Sequence, residues 1–464
     1  MSQGVSNTLS LRNQRWTVLG AARSGLAAAE LLAARGADVF VSDRAPEETM
    51  AEQKRVLEKL GIACEFGRHS EKVFECDAMV ISPGIPSDAP VVRAAVAKGL
   101  SVISELELAS RFCAAPIIAV TGTNGKTTTT VLIGELLRRV HDDVIVAGNI
   151  GLPFAKAVMR APNAGYAVLE VSSFQLDHVE TFHPHIAVIT NITPDHLGRY
   201  GMDFDRYLAS KQRICTNQGR EDFVVFNADD EATLEAVGRC VEPATIGFSS
   251  SRVLTEGAFI RGDQLVLKVR EREYEIVHRA DLHVPGRHNV ENVLAAATAA
   301  FLAGVPVGDI QQGCAAFRGV PHRMENVRTI DGVDYVNDSK ATNVASVVVA
   351  LESYARPIIL IAGGEDKGSS YEPMRPLVKE KVKAMIVLGE AAPRIADAFQ
   401  DVTRIVRVKD LGEAVRTARS LAVHGDVVLL SPACASFDMF DNFEHRGDVF
   451  REEVRALQPQ KVEA

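Results

Sequence analysis

Between Ile117 and Thr130 the chain reads IIAVTGTNGKTTTT: an apolar strand, a glycine-rich turn, then a Lys-Thr pair opening a helix. Those residue types in that order suit an anion. Backbone N–H groups of the turn and the positive end of the helix dipole would hold phosphate oxygens. Lys126 would neutralise the terminal phosphates, and the Thr127 hydroxyl could reach Mg2+. The general nucleotide loop G-x-x-x-x-G-K-[ST] is not fully met, because Val120 stands where its first glycine belongs. The bland alternative is a Gly/Thr turn with a solvent-facing lysine. Strand, turn and helix nevertheless all fall where phosphate chemistry needs them, so the expected ligand is ATP.

Three clusters follow that turn. LEVSSFQL (169–176) ends a strand on Glu170, NITPDHLGRYG (191–201) sets Asp195 and His196 just past another, and FDRYLASKQRI (204–214) carries Lys211 on an expected helix. Ligands gather at the carboxyl ends of strands in open parallel sheets, and Mg2+ takes hard oxygen ligands, waters and phosphate oxygens. Singly, each has an ordinary explanation as a strand-end carboxylate, a helix-capping histidine or a solvated lysine. Their order behind a phosphate loop favours a cation-lined site.

The elements that must position these residues alternate between strand and helix. WTVLG (16–20), DVFVSD (38–43), AMVISPGIP (78–86) and LSVISE (100–105) repeat a strand-then-turn pattern, and the middle section continues it. Such alternation implies parallel strands with helical crossovers. The interval LVLKVREREYEIV (265–277) alternates like antiparallel strands, and NVENVLAAATAAFLAGV (289–305) reads as a long helix. Composition breaks near 111–116 and near 319–325. The expected fold is therefore α/β in three domains: a Rossmann-like domain over 1–111, a central ATP-binding domain with a parallel sheet and a small antiparallel segment over 112–319, and a Rossmann-like domain over 320–464.

A chain of 464 residues is too long for one hydrophobic core, and 47% hydrophobic with 24% charged residues is ordinary globular composition. The longest apolar runs fall well short of the ~18 residues of a membrane span, and the first residues have no apolar core of a secretory signal, so a cytoplasmic protein is expected. A net charge of −9 argues against a nucleic-acid partner. The seven cysteines are scattered singly, which predicts inert free thiols in a reducing compartment rather than zinc or disulfides. Gly20-Ala-Ala-Arg-Ser-Gly25 with Asp43 is a degenerate dinucleotide motif. The Ala22 methyl would hinder the approach of a pyrophosphate to the backbone, which counts against a nicotinamide oxidoreductase.

Taken together, TGTNGKT, GNIG (148–151), EVSSFQL, NITPDHLGRY and the helix with Lys211 resemble the central domain of the Mur ligase family. The resemblance implies ATP bound by Gly122, Thr123, Asn124, Gly125, Lys126, Thr127 and Thr128. It implies one Mg2+ on Thr127 and Glu170 and a second on His196 and a carbamylated Lys211, with Lys126, Glu170, His196 and Lys211 as the catalytic set. Asn149 of GNIG matches a position near the acyl substrate, as does His196. RHNVEN (287–292), PHRME (321–325) and NDSKATN (337–343) resemble nucleotide-closing elements, so Asn289, Asn292, Arg323 and Asp338 are expected on ATP, Arg323 on phosphate and Asp338 on ribose. In this family the first domain binds a UDP group, which makes Ser24, Asp43 and Arg44 candidate contacts, with SPGIP (82–86) nearby.

The segment LLSPACASFDMFDNFEHRGDVF (429–450) is similar to that of members adding D-glutamate. On that match Thr342, Lys367, Ser436 and Phe443 hold the amino acid, although Glu365, Phe437 and Met439 depart from the pattern. The implied substrates are UDP-N-acetylmuramoyl-L-alanine and D-glutamate, joined by a monomer in peptidoglycan precursor synthesis. Both an acyl-phosphate step and its displacement by an amine crowd negative charge onto oxygens, so cations are the main requirement. The alternatives are a sister ligase of other amino-acid specificity, a folylpolyglutamate synthetase, or a nucleotide-dependent switch that makes no bond.

Overall fold

Three sheets carry the chain. The computed structural model describes residues 11–459 apart from Pro285, Lys367 and Ser369; Lys367, expected to meet D-glutamate, thus lies outside the described residues. The first sheet has five parallel strands in the order Ala63–Phe66, Asp38–Asp43, Arg15–Leu19, Ala78–Ile81, Ser101–Ser104. Helices cover both faces, so Val18, Val41 and Val80 are fully buried. Strand order reverses between Arg15–Leu19 and Ala78–Ile81, and the loops at 20–22 and 82–86 flank that switch point, where open α/β sheets take their ligands. The turn there requires glycine. Gly20 has φ +87°, and a Cβ on Gly25 would lie 1.8 Å from the Gly20 carbonyl oxygen.

The second sheet has nine strands. Its parallel part places Ile117–Thr121 between Tyr166–Glu170 and Ile186–Ile189. The antiparallel interval expected over 265–277 is present as Gln264–Val269 paired with Arg272–His278, and Gly257–Arg261 extends it. The third sheet orders Glu325–Ile330, Val333–Asn337, Val427–Leu430, Ile358–Gly363, Val382–Leu388 and Arg404–Arg407, all parallel except the first. Two compact units result: residues 1–281 with 291–315 contain the first two sheets, and 282–290 with 316–464 contain the third. Among the described residues no helix is long and apolar enough to cross a membrane.

The cysteine expectation needs correcting. Cys64, Cys76, Cys113, Cys314 and Cys434 are free, but Cys215 and Cys240 form a disulfide with Cα atoms 6.0 Å apart. Helix Phe204–Gln212 packs on helix Glu231–Val237, and the turns leaving both helices bring the two thiols together. A separation of 25 residues carries no sign of that packing.

Within the first unit, helix Glu105–Ser110 joins the two sheets through two buried carboxylates. Glu107 accepts amides of Glu180, Thr181 and Phe182 at 2.8–3.1 Å, with the Thr181 hydroxyl and Arg111. Burial alone would raise its pKa, and these donors hold it below the usual value instead. Glu105 has only the Ala155 amide at 2.6 Å and the nearby Phe154 amide, so burial pushes its pKa up from 4.5 to about 7. The folded state therefore keeps this proton to higher pH than the unfolded chain. Its stabilising contribution is complete below 4.5 and lost as pH rises through about 7. Glu105→Gln retains an acceptor for Ala155 and removes the titration. Its stability relative to the native chain should rise between about pH 5 and about pH 8, by on the order of 3 kcal/mol at most, in urea unfolding at each pH. A difference flat with pH would contradict this.

Candidate active site

The phosphate turn is fixed by what packs against it. Gly122 (φ +144°) and Gly125 (φ +83°) hold conformations that other residues rarely adopt, and neighbours fill the space a side chain would need. A Cβ on Gly122 would lie 2.0 Å from the Thr190 hydroxyl, and one on Gly125 would lie 2.2 Å from Asn292 Oδ1. Asn292, expected on ATP, is buried on helix Arg287–Leu302 and accepts the Thr129 hydroxyl at 3.3 Å.

The segment after strand Ile186–Ile189 latches the other side of the turn. The Thr123 amide donates to the Asn191 carbonyl at 2.8 Å, and the Thr190 hydroxyl donates to the Asn124 carbonyl at 2.6 Å. The Asn191 side chain accepts the Asn124 amide and returns a hydrogen bond to its carbonyl. The Thr123 hydroxyl bonds the Thr193 carbonyl at 2.9 Å and the Tyr207 hydroxyl at 3.0 Å. These bonds tie the turn to the 190–193 segment and to Tyr207. Thr128 is buried in the first turn of the following helix.

Glu170 stands where two loops meet. Its Oε2 accepts the Thr127 hydroxyl at 2.7 Å and its Oε1 accepts Asn149 Nδ2 at 2.9 Å. Asn149 is also held by its own amide on the Glu170 carbonyl, at 2.8 Å. The two lysines converge on a single oxygen: the Gly122 carbonyl accepts Lys126 Nζ at 3.0 Å and Lys211 Nζ at 2.7 Å. Lys211 is only 2% exposed, and its ammonium lies 4.7 Å from the Tyr207 ring centroid. Burial, then the charge of Lys126, drives its pKa well below the usual lysine value, against the pull of Asp195 and Glu170.

Among the described residues His196 makes no hydrogen bond to that cluster. It adopts a left-handed φ of +52° at the start of a short 3-10 turn, with Nε2 3.6 Å from Asp195 and its ring edge-on to Phe174. It lines a cavity of about 440 Å³ with Asn149, Phe174, Arg199, Pro83 and Gly84. The Arg199 guanidinium holds the 82–86 loop there, donating to the Pro83 carbonyl at 2.9 Å and the Ile85 carbonyl at 2.5 Å while lying over the Phe174 ring. The structure thus links Thr127, Glu170 and Asn149 by hydrogen bonds, brings Lys126 and Lys211 to the Gly122 carbonyl, packs Asn292 against Gly125, and sets His196 on the cavity wall with Asn149.

At the first sheet's switch point, Asp43 accepts the Ala21 amide at 2.7 Å and the Ala45 amide at 2.8 Å, so it organises the two loops. Ser24 is partly buried, and Arg44, next to Asp43 in the chain, is exposed. In the second unit, Asp338 is buried, accepting the Ser431 hydroxyl at 2.8 Å and the Met324 amide at 3.2 Å. Burial raises its pKa to about 7, offset in part by Ser431 and by Arg323. Asn289 is buried, Thr342 and Phe443 are half-buried, and Ser436 is buried beyond strand Val427–Leu430. Thr190, Asn191, Tyr207 and Arg199 were not singled out by sequence. Their only signal is adjacency: each lies within a few residues of Asp195, His196 or Lys211.

Three family models match in order along the chain: the Mur ligase MurD-like N-terminal domain over 14–104, the Mur ligase middle domain over 120–300, and the Mur ligase glutamate ligase domain over 322–434. The chain belongs to the Mur ligase family. Among its relatives, the UDP-N-acetylmuramoylalanine–D-glutamate ligase of Salinibacter ruber is 46% identical over 459 residues, covering 96% of this chain and 99% of that protein. The ligase of the same name from Koribacter versatilis is 43% identical, covering 98% and 100%. Solved structures share the fold at lower identity. The UDP-N-acetylmuramate-alanine ligase from Thermotoga maritima has a TM-score of 0.57 at 20% identity, covering 96% of this chain and 99% of its own. MurF from Acinetobacter baumannii has 0.59 at 19%, covering 82% and 87%.

Because a methyl at residue 125 meets Asn292 and must also hold a positive φ, Gly125→Ala should weaken ATP binding at least about tenfold while circular dichroism stays native. Unchanged affinity in nucleotide titration would show that the turn is not held as described.

Proposed function

We propose that this chain adds D-glutamate to UDP-N-acetylmuramoyl-L-alanine in an ATP-driven reaction of peptidoglycan precursor synthesis, acting as a monomer in the cytosol. The observation that carries the reading is the hydrogen-bonded series Thr127–Glu170–Asn149, which ties the phosphate turn to the loop expected at the acyl substrate. The full-length similarity to ligases of that name supports the choice of substrates. The work divides over segments 1–111 for the UDP group, with Ser24, Asp43 and Arg44, 112–319 for ATP, and 320–464 for D-glutamate, with Thr342, Lys367, Ser436 and Phe443.

The acyl carboxylate attacks the γ-phosphorus of ATP, forming an O–P bond as the bond to the bridging oxygen breaks and ADP leaves. The D-glutamate nitrogen then attacks the acyl carbon. A C–N bond forms, the C–O bond to phosphate breaks, and the nitrogen loses a proton. Lys126 neutralises phosphoryl oxygens, Asn289, Asn292, Arg323 and Asp338 serve ATP, and Asn149 and His196 flank the acyl group. Rigid loops keep the reacting atoms aligned.

Thr127 Oγ1 and Glu170 Oε2 lie 2.7 Å apart, two hard oxygens beside a phosphate turn, and they fit Mg2+. Among the described residues no three His, Cys, Asp or Glu side chains form a metal site by themselves. That suits a cation drawing most ligands from water and phosphate. His196 and Lys211 would hold a second ion, the lysine as its carbamate. When bound, such ions neutralise charge developing on the transferred phosphoryl group. A buried neutral amine suits that modification: Lys211 nitrogen bonds to the carbon of CO2, a proton leaves, and an anion replaces the neutral amine next to Lys126.

Phosphate release should require UDP-N-acetylmuramoyl-L-alanine, D-glutamate and Mg2+ together, with D-glutamate favoured over L-glutamate by at least about a hundredfold in kcat/KM. Preference for another amino acid would point to a sister ligase, and amino-acid-independent hydrolysis to a switch. Lys211→Ala should lower kcat by at least about a hundredfold with an unchanged unfolding midpoint, and wild-type turnover in that variant would remove Lys211 from the mechanism.

A further inference from the structure

Arg446 is a buried cation that the ligase reading leaves without a role. It lies on helix Phe443–Ala456 one turn after Phe443 and is 3% exposed. Its guanidinium donates to the Ser339 hydroxyl at 3.0 Å, the Ser339 carbonyl at 2.9 Å, the Ala435 carbonyl at 3.1 Å, the Cys434 carbonyl at 3.2 and 3.3 Å, and the Gly363 carbonyl at 3.5 Å. No carboxylate is among these partners. The oxygens belong to loops leaving three different strands, Val333–Asn337, Ile358–Gly363 and Val427–Leu430, at their carboxyl ends.

Those loops also grip one another around the guanidinium. The Glu365 amide donates to the Ala435 carbonyl at 3.0 Å and the Ala433 amide to the Ala341 carbonyl at 2.9 Å. Gly364, at φ +133°, leaves no room for a side chain, since a Cβ would lie 2.1 Å from the Ala435 oxygen and 3.0 Å from Arg446 Nη1. Gly447 is equally constrained, because a Cβ there would meet His322 Nδ1 at 2.1 Å. Thr342 lies three residues beyond Ser339, Ser436 directly follows Ala435, and Lys367 comes four residues after Gly363. Burial lowers the Arg446 pKa to about 10, which leaves it charged at neutral pH.

We propose that Arg446 is a positioning residue for the incoming amino acid: by binding carbonyl oxygens of three strand-end loops at once, it presets the cradle formed by Thr342, the loop at 363–366 and Ser436. The inference rests on reading those residues as the D-glutamate site. A planar fork with five donors can satisfy several oxygens simultaneously, which an ammonium cannot match. Loops ordered in advance spare the ligand the entropy of ordering them, so the effect belongs to amino-acid binding rather than to ATP or the acyl substrate.

The test is steady-state kinetics of the full chain with all three substrates varied, for Arg446→Lys, Arg446→Gln and Ser436→Ala, with thermal unfolding alongside. Arg446→Lys should raise KM for D-glutamate about tenfold and Arg446→Gln by more, with KM for ATP and the UDP substrate within about twofold. An unchanged KM for D-glutamate in Arg446→Lys overturns the proposal, as does a uniform loss of activity that tracks a lowered unfolding midpoint. Should Arg446→Gln not fold, the lysine variant decides alone. Ser436→Ala separates the two layers. If it raises KM for D-glutamate while Arg446→Lys does not, only the positioning role fails; if neither moves it, the placement of the amino-acid site fails first.

Discussion

Two lysine ammonium groups cannot comfortably share one carbonyl oxygen inside a protein, and Lys126 and Lys211 both donate to Gly122. Lys126 opens the helix behind the glycine turn and, on the proposed reading, neutralises incoming phosphates. Lys211 is nearly sealed from solvent, with an aromatic ring beneath it and a cation beside it, so the proton is the part it can lose most cheaply. The rest of the site follows from that electrostatic pressure. Glu170 brings negative charge to the same pocket and hands its two oxygens to Thr127 and Asn149, so the charge balance and the alignment of two loops depend on one side chain.

Parallel sheets make this convergence possible. Three neighbouring strands, Tyr166–Glu170, Ile117–Thr121 and Ile186–Ile189, end on the same edge, and their loops supply Glu170, the phosphate turn and the Thr190–Thr193 latch. The loops at 148–151 and 82–86 line one cavity, and Arg199 pins the latter with two carbonyl hydrogen bonds. Glu105 and Glu107, on the helix joining the first two sheets, hold that arrangement through buried contacts with the backbone of the second.

Much of this was legible because the informative residues are contiguous. A strand, a glycine turn and Lys-Thr occupy eleven neighbouring positions, so their order alone points to a phosphate site. The alternation of apolar strands with helices announced three parallel sheets, and the switch from alternation to LVLKVREREYEIV announced the antiparallel arm. What stayed hidden depends on tertiary packing. Asn292 fills the space beside Gly125 from 167 residues away, and Cys215 meets Cys240 only because two helices pack. Nothing in the sequence marks Arg446. Nor does it mark Tyr207, whose hydroxyl lies 3.0 Å from that of Thr123. His196 shows the converse: its place in the sequence motif is clear, yet its side chain lies on the cavity wall, outside the hydrogen-bonded core that holds Lys211.

The chemistry of Lys211 offers the most direct test. A neutral amine pressed against Lys126 should take up CO2, so the protein equilibrated with 13C-labelled bicarbonate should give one carbamate resonance in 13C NMR, absent from Lys211→Arg and strengthened by Mg2+ with ATP. No such resonance, or one that persists in Lys211→Arg, would contradict the shared site at Gly122.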